Sequence, residues 1–203
     1  VACNVLTGNH DISGVIAIGD TLLTMGTLMK FDISINGLYE EGTKALARAL
    51  TDNQVLTELN ISNNHMTYGY SVKDYAQMAG MIAIADTIPT MKALTSLDIS
   101  LNHIGELVLP EGWSITSRYG RSRDGSRYVH VDGREQTDVP EGSSPVGAIV
   151  LAGAIRNNTA LLKVDISKNQ LATRAAGKAL ADMISGHPTL KDINVSTNAQ
   201  WPV

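Results

Sequence analysis

Aromatic residues are scarce in this 203-residue chain: two Trp, six Tyr and one Phe, or 4% of the total. With an ordinary hydrophobic content of 43%, its core has to be aliphatic and rich in alanine. Cysteine is nearly absent. Cys3 stands alone, which excludes an internal disulfide and favours a reducing, intracellular setting. No apolar run approaches the roughly 20 residues that span a bilayer; the longest lies between Gly147 and Ile155. Membrane insertion is therefore not expected. Nor is positive charge in excess: 16 Lys and Arg against 20 Asp and Glu give a net −4, which removes the electrostatic case for nucleic acid. The motifs G-x-x-x-x-G-K-[ST], H-E-x-x-H and G-x-S-x-G are missing, and no Ser, His or Asp sits in a recognisable nucleophile context. No enzymatic activity, cofactor or metal is expected. Without an initiator Met or a signal peptide, the chain reads as an excerpt of a longer one.

What the chain has is a repeat. Leu94 to Ile104 reads L-T-S-L-D-I-S-L-N-H-I, with apolar residues at places one, four, six and eleven and Asn102 at the ninth. Leu28, Phe31, Ile33, Asn36 and Leu38 match place for place, as do Leu56, Leu59, Ile61, Asn64 and Met66. Leu161, Val164, Ile166, Asn169 and Leu171 form a fourth copy, and Leu190, Ile193, Val195 and Asn198 a fifth. A poorer copy around Leu6 and Asn9 precedes them.

Each copy follows a helix-like segment whose columns also align. One apolar column holds Leu22, Leu50, Ile88, Ile155 and Ile184, and another, four residues earlier, holds Ile18, Leu46, Ile84, Leu151 and Leu180. That spacing is an apolar helical stripe. Four residues earlier again stand Gly14, Gly42, Gly80, Gly147 and Ala176, small enough for the helix start to lie close against its neighbour. Strand, turn and helix then alternate along a single domain, 1–203, of five to six units of about 28 residues.

These signatures resemble the leucine-rich repeats of the ribonuclease-inhibitor class, through the eleven-place strand motif and helices such as Ala45 to Leu50. The resemblance implies an α/β horseshoe solenoid with a parallel inner sheet and outer helices. It also implies work done by binding proteins, as a module or scaffold segment of a larger protein or complex, and it carries no catalytic residue. Two alternatives stay open: a regulator of a small GTPase, as the Ran GTPase-activating proteins of this repeat class are, or a purely architectural subunit. The repeat is also expected to continue beyond Val1 and Val203.

Two spacings break the period. Asn64 to Asn102 is 38 residues and Asn102 to Asn169 is 67, against 28 from Asn36 to Asn64. The helix columns place the extra residues in the strand-to-helix turn, at about 67–77 and 105–144, so both insertions leave the same rim of the sheet. Together they hold Tyr68, Tyr70, Tyr75, Trp113, Arg118, Tyr119, Arg121, Arg123, Arg127 and Tyr128. Tyr, Trp and Arg are the types enriched at binding hot spots, so this surface is the first candidate contact, with a small core of its own as the plainer reading. Strands are expected at Trp113 to Ser117, Arg127 to Val131 and around Glu135 to Val139. Leu109-Pro110-Glu111-Gly112-Trp113, Arg127-Tyr128-Val129 and Pro140 resemble a WW domain, which implies a Trp113–Pro140 clasp and Tyr128 as a ligand-facing aromatic. Thr137, Asp138 and Val139 stand where that family's second Trp belongs.

The second candidate contact is the inner face, where the fifth places read Asp32, Asn60, Asp98, Asp165 and Asn194 and the seventh places are all Ser. Such a face suits a basic or polar peptide; the plainer reading is a solvated surface on which Asp and Asn bond neighbouring Ser. The ninth-place asparagines are expected to satisfy buried turn groups. His10, His65 and His103 follow them and are expected to be exposed turn residues, too few for the four ligands of a structural zinc.

Overall fold

A computed structural model describes Leu6 and residues 11–67, 78–115, 128–136, 140–171 and 173–196, with backbone alone at Ile115, Tyr128, Val129 and Gln136. Helix α1 (Ser13–Thr24) leads to strand β1 (Lys30–Asp32), followed by α2 (Tyr39–Leu50), β2 (Glu58–Asn60), α3 (Ala79–Thr87) and β3 (Ser96–Asp98). Three short strands come next: β4 (Trp113–Ile115), β5 (Tyr128–His130) and β6 (Glu135–Gln136). Helix α4 (Val146–Asn157), β7 (Lys163–Asp165), α5 (Arg174–Gly186) and β8 (Asp192–Asn194) complete the order.

The main sheet is five-stranded in the order β1-β2-β3-β7-β8, and every neighbouring pair is parallel. Parallel neighbours require a crossover, and crossovers are right-handed. Because each one steps to the next strand in the same direction, all the helices fall on one face. Consecutive helices accordingly pack on one another from α1 to α5. The result is a two-layer α/β arrangement in which, among the described residues, one sheet face is free of helices.

Register makes the repeat exact in space. Phe31, Leu59, Leu97, Val164 and Ile193 sit side by side at the fourth place, and Leu97 is 1% exposed. The sixth-place Ile33, Ile61, Ile99 and Ile166 are fully buried, as are Leu46, Leu50, Ile84, Ile88, Leu151 and Ile155 from the two helical columns. Toward the ends of the array Ile18, Leu28, Leu180, Leu190 and Ile193 are only half-buried, and two expected core positions are exposed, Ile184 at 46% and Val195 at 42%. Both belong to the last unit, where among the described residues α5 and β8 have a neighbour on one side alone.

The asparagine column is a continuous buried ladder. Asn64 Oδ1 accepts from Asn36 N at 2.9 Å, Asn102 Oδ1 from Asn64 N at 2.8 Å and Asn169 Oδ1 from Asn102 N at 2.7 Å. Each amide nitrogen donates to carbonyls at the end of its own strand, and from Asn64 onward also to the strand before, as Asn102 Nδ2 does to Ile99 and Ile61. Buried backbone groups are thus satisfied unit by unit.

A second device sits between helix and strand. Asn53 Oδ1 accepts from Val55 N and Leu56 N, and Asn158 Oδ1 from Ala160 N and Leu161 N. His187 takes the same place in the last unit: its Nδ1 accepts from Thr189 N and Leu190 N while Nε2 donates to the Ile155 carbonyl. Both jobs need the neutral ring with its proton on Nε2.

The glycine column reflects close approach. A Cβ on Gly147 would lie 2.5 Å from the Ile104 carbonyl oxygen, whereas one on Gly153 in the same helix meets nothing within 4 Å. Gly147→Ala should therefore cost about 1–3 kcal/mol by overpacking, while Gly153→Ala gains about 0.5–1 kcal/mol of helix stability. Denaturant melts of the two variants should move in opposite directions.

Candidate functional site

On the helix-free face the side chains pair off in a pattern. At the third place Lys30 Nζ lies 2.7 Å from Glu58, and Lys163 Nζ lies 3.8 Å from Asp192. At the fifth place Asn60 Nδ2 donates to Asp32 Oδ2 at 3.3 Å, and Asn194 Nδ2 donates to Asp165 Oδ2 at 2.9 Å. In both rows β1 pairs with β2 and β7 with β8. The central strand β3 belongs to neither pair. Asp98 lies in register with Asp165, and its Oδ1 accepts from Ser100 N at 3.0 Å. Among the described residues no side chain donates to its second oxygen.

Each fifth-place side chain is fixed by accepting from the N–H two residues on, at 2.9 Å in Asp32 and Asp165 and 3.0 Å in Asn60, Asp98 and Asn194. These short turns orient the whole row. Burial pushes the Asp165 carboxyl up, but hydrogen bonds from Ser167 and Asn194 and the Lys163 charge outweigh it and hold the group below the usual carboxylate value. The seventh-place serines line the face only in part. Ser34, Ser100 and Ser167 are buried, Ser62 is half-buried and Ser196 exposed, and the Ser34 and Ser62 hydroxyls turn back onto Asp32 and Asn60, the bonding of the plainer reading.

The strand ends explain this. The strands stop at the fifth place, and Ile35, Asn63, Leu101 and Lys168 at the eighth place then turn the chain with φ of 58°, 54°, 58° and 57°. Left-handed backbone is uncommon for any residue with a Cβ and an outlier for a β-branched one. Yet Ile35 is 48% exposed and Leu101 is 37% exposed. Two places on, the histidines correct another expectation. His65 stacks on Tyr39 at 5.6 Å and on His103 at 5.8 Å between centroids, and Gln170 Nε2 reaches His103 Nδ1 at 2.8 Å. Stacking turns ring faces, not nitrogen lone pairs, toward one another, and burial pushes the His65 pKa down.

The longer insertion contains a three-stranded antiparallel sheet, β4-β5-β6, whose strands are shorter than the three expected segments. Asp132 and Gly133 make the turn between β5 and β6, with Gly133 at φ 88°. Trp113 meets His130 edge-on at 5.2 Å, and the Arg134 guanidinium lies 5.9 Å from the Trp113 ring. Asp132 joins them, bonded to His130 Nδ1 at 2.9 Å and Arg134 Nε at 2.8 Å. Backbone N–H donation from Arg134, together with these side chains, holds the Asp132 carboxyl below its usual value despite some desolvation. Pro140 is buried, but the described ring partners of Trp113 are His130 and Arg134.

Of the residues anticipated on this surface, Tyr68, Tyr70, Tyr75, Arg118, Tyr119, Arg121, Arg123 and Arg127 lie outside the described residues, and Tyr128 is placed by its backbone in β5. The anticipated inner-face set Asp32, Asn60, Asp98, Asp165 and Asn194 comes together in one row. Sequence reasoning missed Tyr39, His130, Asp132 and the third-place ion pairs, and counted Arg134 among the insertion's arginines without its partners. The Asp-Gly pair at 132–133 was the available signal for the turn.

No protein-family model matches the chain, and no curated protein matches it. Among solved structures it is similar in fold to leiomodin-1 actin-binding site 2, at 16% identity and a TM-score of 0.53, over 91% of this chain and 78% of that one. At that identity the likeness is one of fold. Among the described residues no helix is long and apolar enough to cross a membrane.

Proposed function

We propose that the chain is a non-catalytic leucine-rich-repeat module of the ribonuclease-inhibitor-like class that binds another protein across its helix-free sheet face. The observation that carries this reading is the row of in-register side chains, exposed at Asp32 and half-buried from Asn60 to Asn194, each held in place by its own turn. A rigid, preorganised polar surface loses little side-chain freedom on binding. The place-for-place recurrence of the eleven-residue motif supports the repeat class, and fold likeness to an actin-binding site supports protein binding as a use of this architecture. Actin itself is not carried over.

Selection of peptides from a random display library on the intact chain tests the proposal. Enriched peptides should bind with Kd on the order of micromolar by calorimetry and be recovered with unchanged mass. Failure to enrich any peptide, or recovery of cleaved or modified peptide, would overturn it.

A further inference from the structure

We infer that the centre of the sheet face, Ser96 and Asp98 on β3 with Asp165 beside them, receives an arginine or lysine side chain from an extended segment of the partner protein. This rests on the protein-binding reading and names the chemistry of its partner. The flanks have already used their polar groups on one another. Glu58 engages Lys30, Asp192 engages Lys163, the Asn60 amide turns outward to Asp32 on β1, and the Asn194 amide on the edge strand turns inward to Asp165.

What is left is the middle strand. Asp98 has a carboxylate oxygen that among the described residues accepts from no side chain, and the like charge of Asp165 stands in register one strand away. On strands spaced about 4.8 Å apart, like charges in register disfavour one another, and a guanidinium or ammonium between them replaces that with charge-assisted hydrogen bonds. Neutral side chains cannot do this, so charge complementarity selects a cationic residue.

A second feature stands at the same strand ends. Ile35 and Leu101 hold exposed aliphatic side chains on left-handed backbone at the ends of β1 and β3. Strained conformations persist where the surroundings impose them, and here they set apolar contacts beside the polar row. Five strands span roughly 19 Å, or about six residues of extended chain. The ligand that fits is a short segment with one basic residue and aliphatic neighbours.

The test uses a library-selected peptide against the intact chain. Asp98→Asn should weaken binding at least tenfold and raise Tm, because it removes a like-charge pair while keeping the acceptor for Ser100 N. Asp20→Asn, which removes the same charge from an exposed position on α1 in the helix layer, should change binding less than about threefold. Replacing the peptide's arginine by citrulline should weaken binding to the unaltered protein by the same factor as Asp98→Asn, and the two losses should not add. Equal affinity for the citrulline peptide, or equal losses at Asp20 and Asp98, would overturn the inference while leaving protein binding intact. Failure to select any peptide would instead overturn the reading beneath it.

Discussion

Asn102→Ala is expected to cost about 2–4 kcal/mol, although it deletes a single polar side chain. Asn102 is fully buried. Its Oδ1 is the acceptor for Asn64 N at 2.8 Å, and its Nδ2 donates to the Ile61, Ile99 and Ser100 carbonyls at 3.0, 3.1 and 3.2 Å. Alanine leaves the Asn64 N–H without that acceptor in a place water does not reach, and an unpaired buried donor carries its full desolvation cost. All three carbonyls keep a second donor, Ile61 from Asn64 Nδ2, Ile99 from Asn169 Nδ2 and Ser100 from Asn63 N, which is why the loss is not larger. Asn102→Asp should be at least as damaging, since it keeps the acceptor but sets negative charge against carbonyl oxygens. Urea melts showing a loss below about 1 kcal/mol for the alanine variant would mean that the ladder does not carry the turns.

Leu97→Ala should cost about 2–5 kcal/mol, from lost transfer energy and the cavity left behind. Leu97 lies between Leu59 and Val164 in register on the central strand, with a neighbour on each side, so the site cannot collapse easily. Ile193→Ala, at the same place on the edge strand β8 and only partly buried, should cost less. Equal losses at the two positions would contradict the strand order.

Much of this was legible from the residues because a repeat imposes one environment many times. The fourth-place apolar residues, the asparagine ladder and the small residues at helix starts recur because each unit buries the same atoms against the next. What stayed hidden depends on choices between neighbours. Nothing in the row Asp32, Asn60, Asp98, Asp165, Asn194 says that Asn60 turns toward β1 and leaves β3 alone. The serines were placed only in part because period-two alternation was carried two residues past the strand ends at Asp32 and Asp98. The His65–His103 stack was missed for the same reason: turn residues usually face water, and here consecutive turns lie on one another. The helix-to-strand device escaped because Asn53, Asn158 and His187 share a job but not a residue type. In the insertion, Trp113 and the strand positions were readable, whereas the His130–Asp132–Arg134 cluster around it depends on a turn that brings distant side chains together.

The claim at the centre of this account is that the helix-free face is the binding surface, and amide shift mapping by NMR with a selected peptide tests it most directly. The account predicts the largest perturbations at residues 58–62, 96–100 and 163–167, with the helical amides of α2 to α4 unmoved. Perturbations confined to residues 128–136, or to the helices, would contradict it.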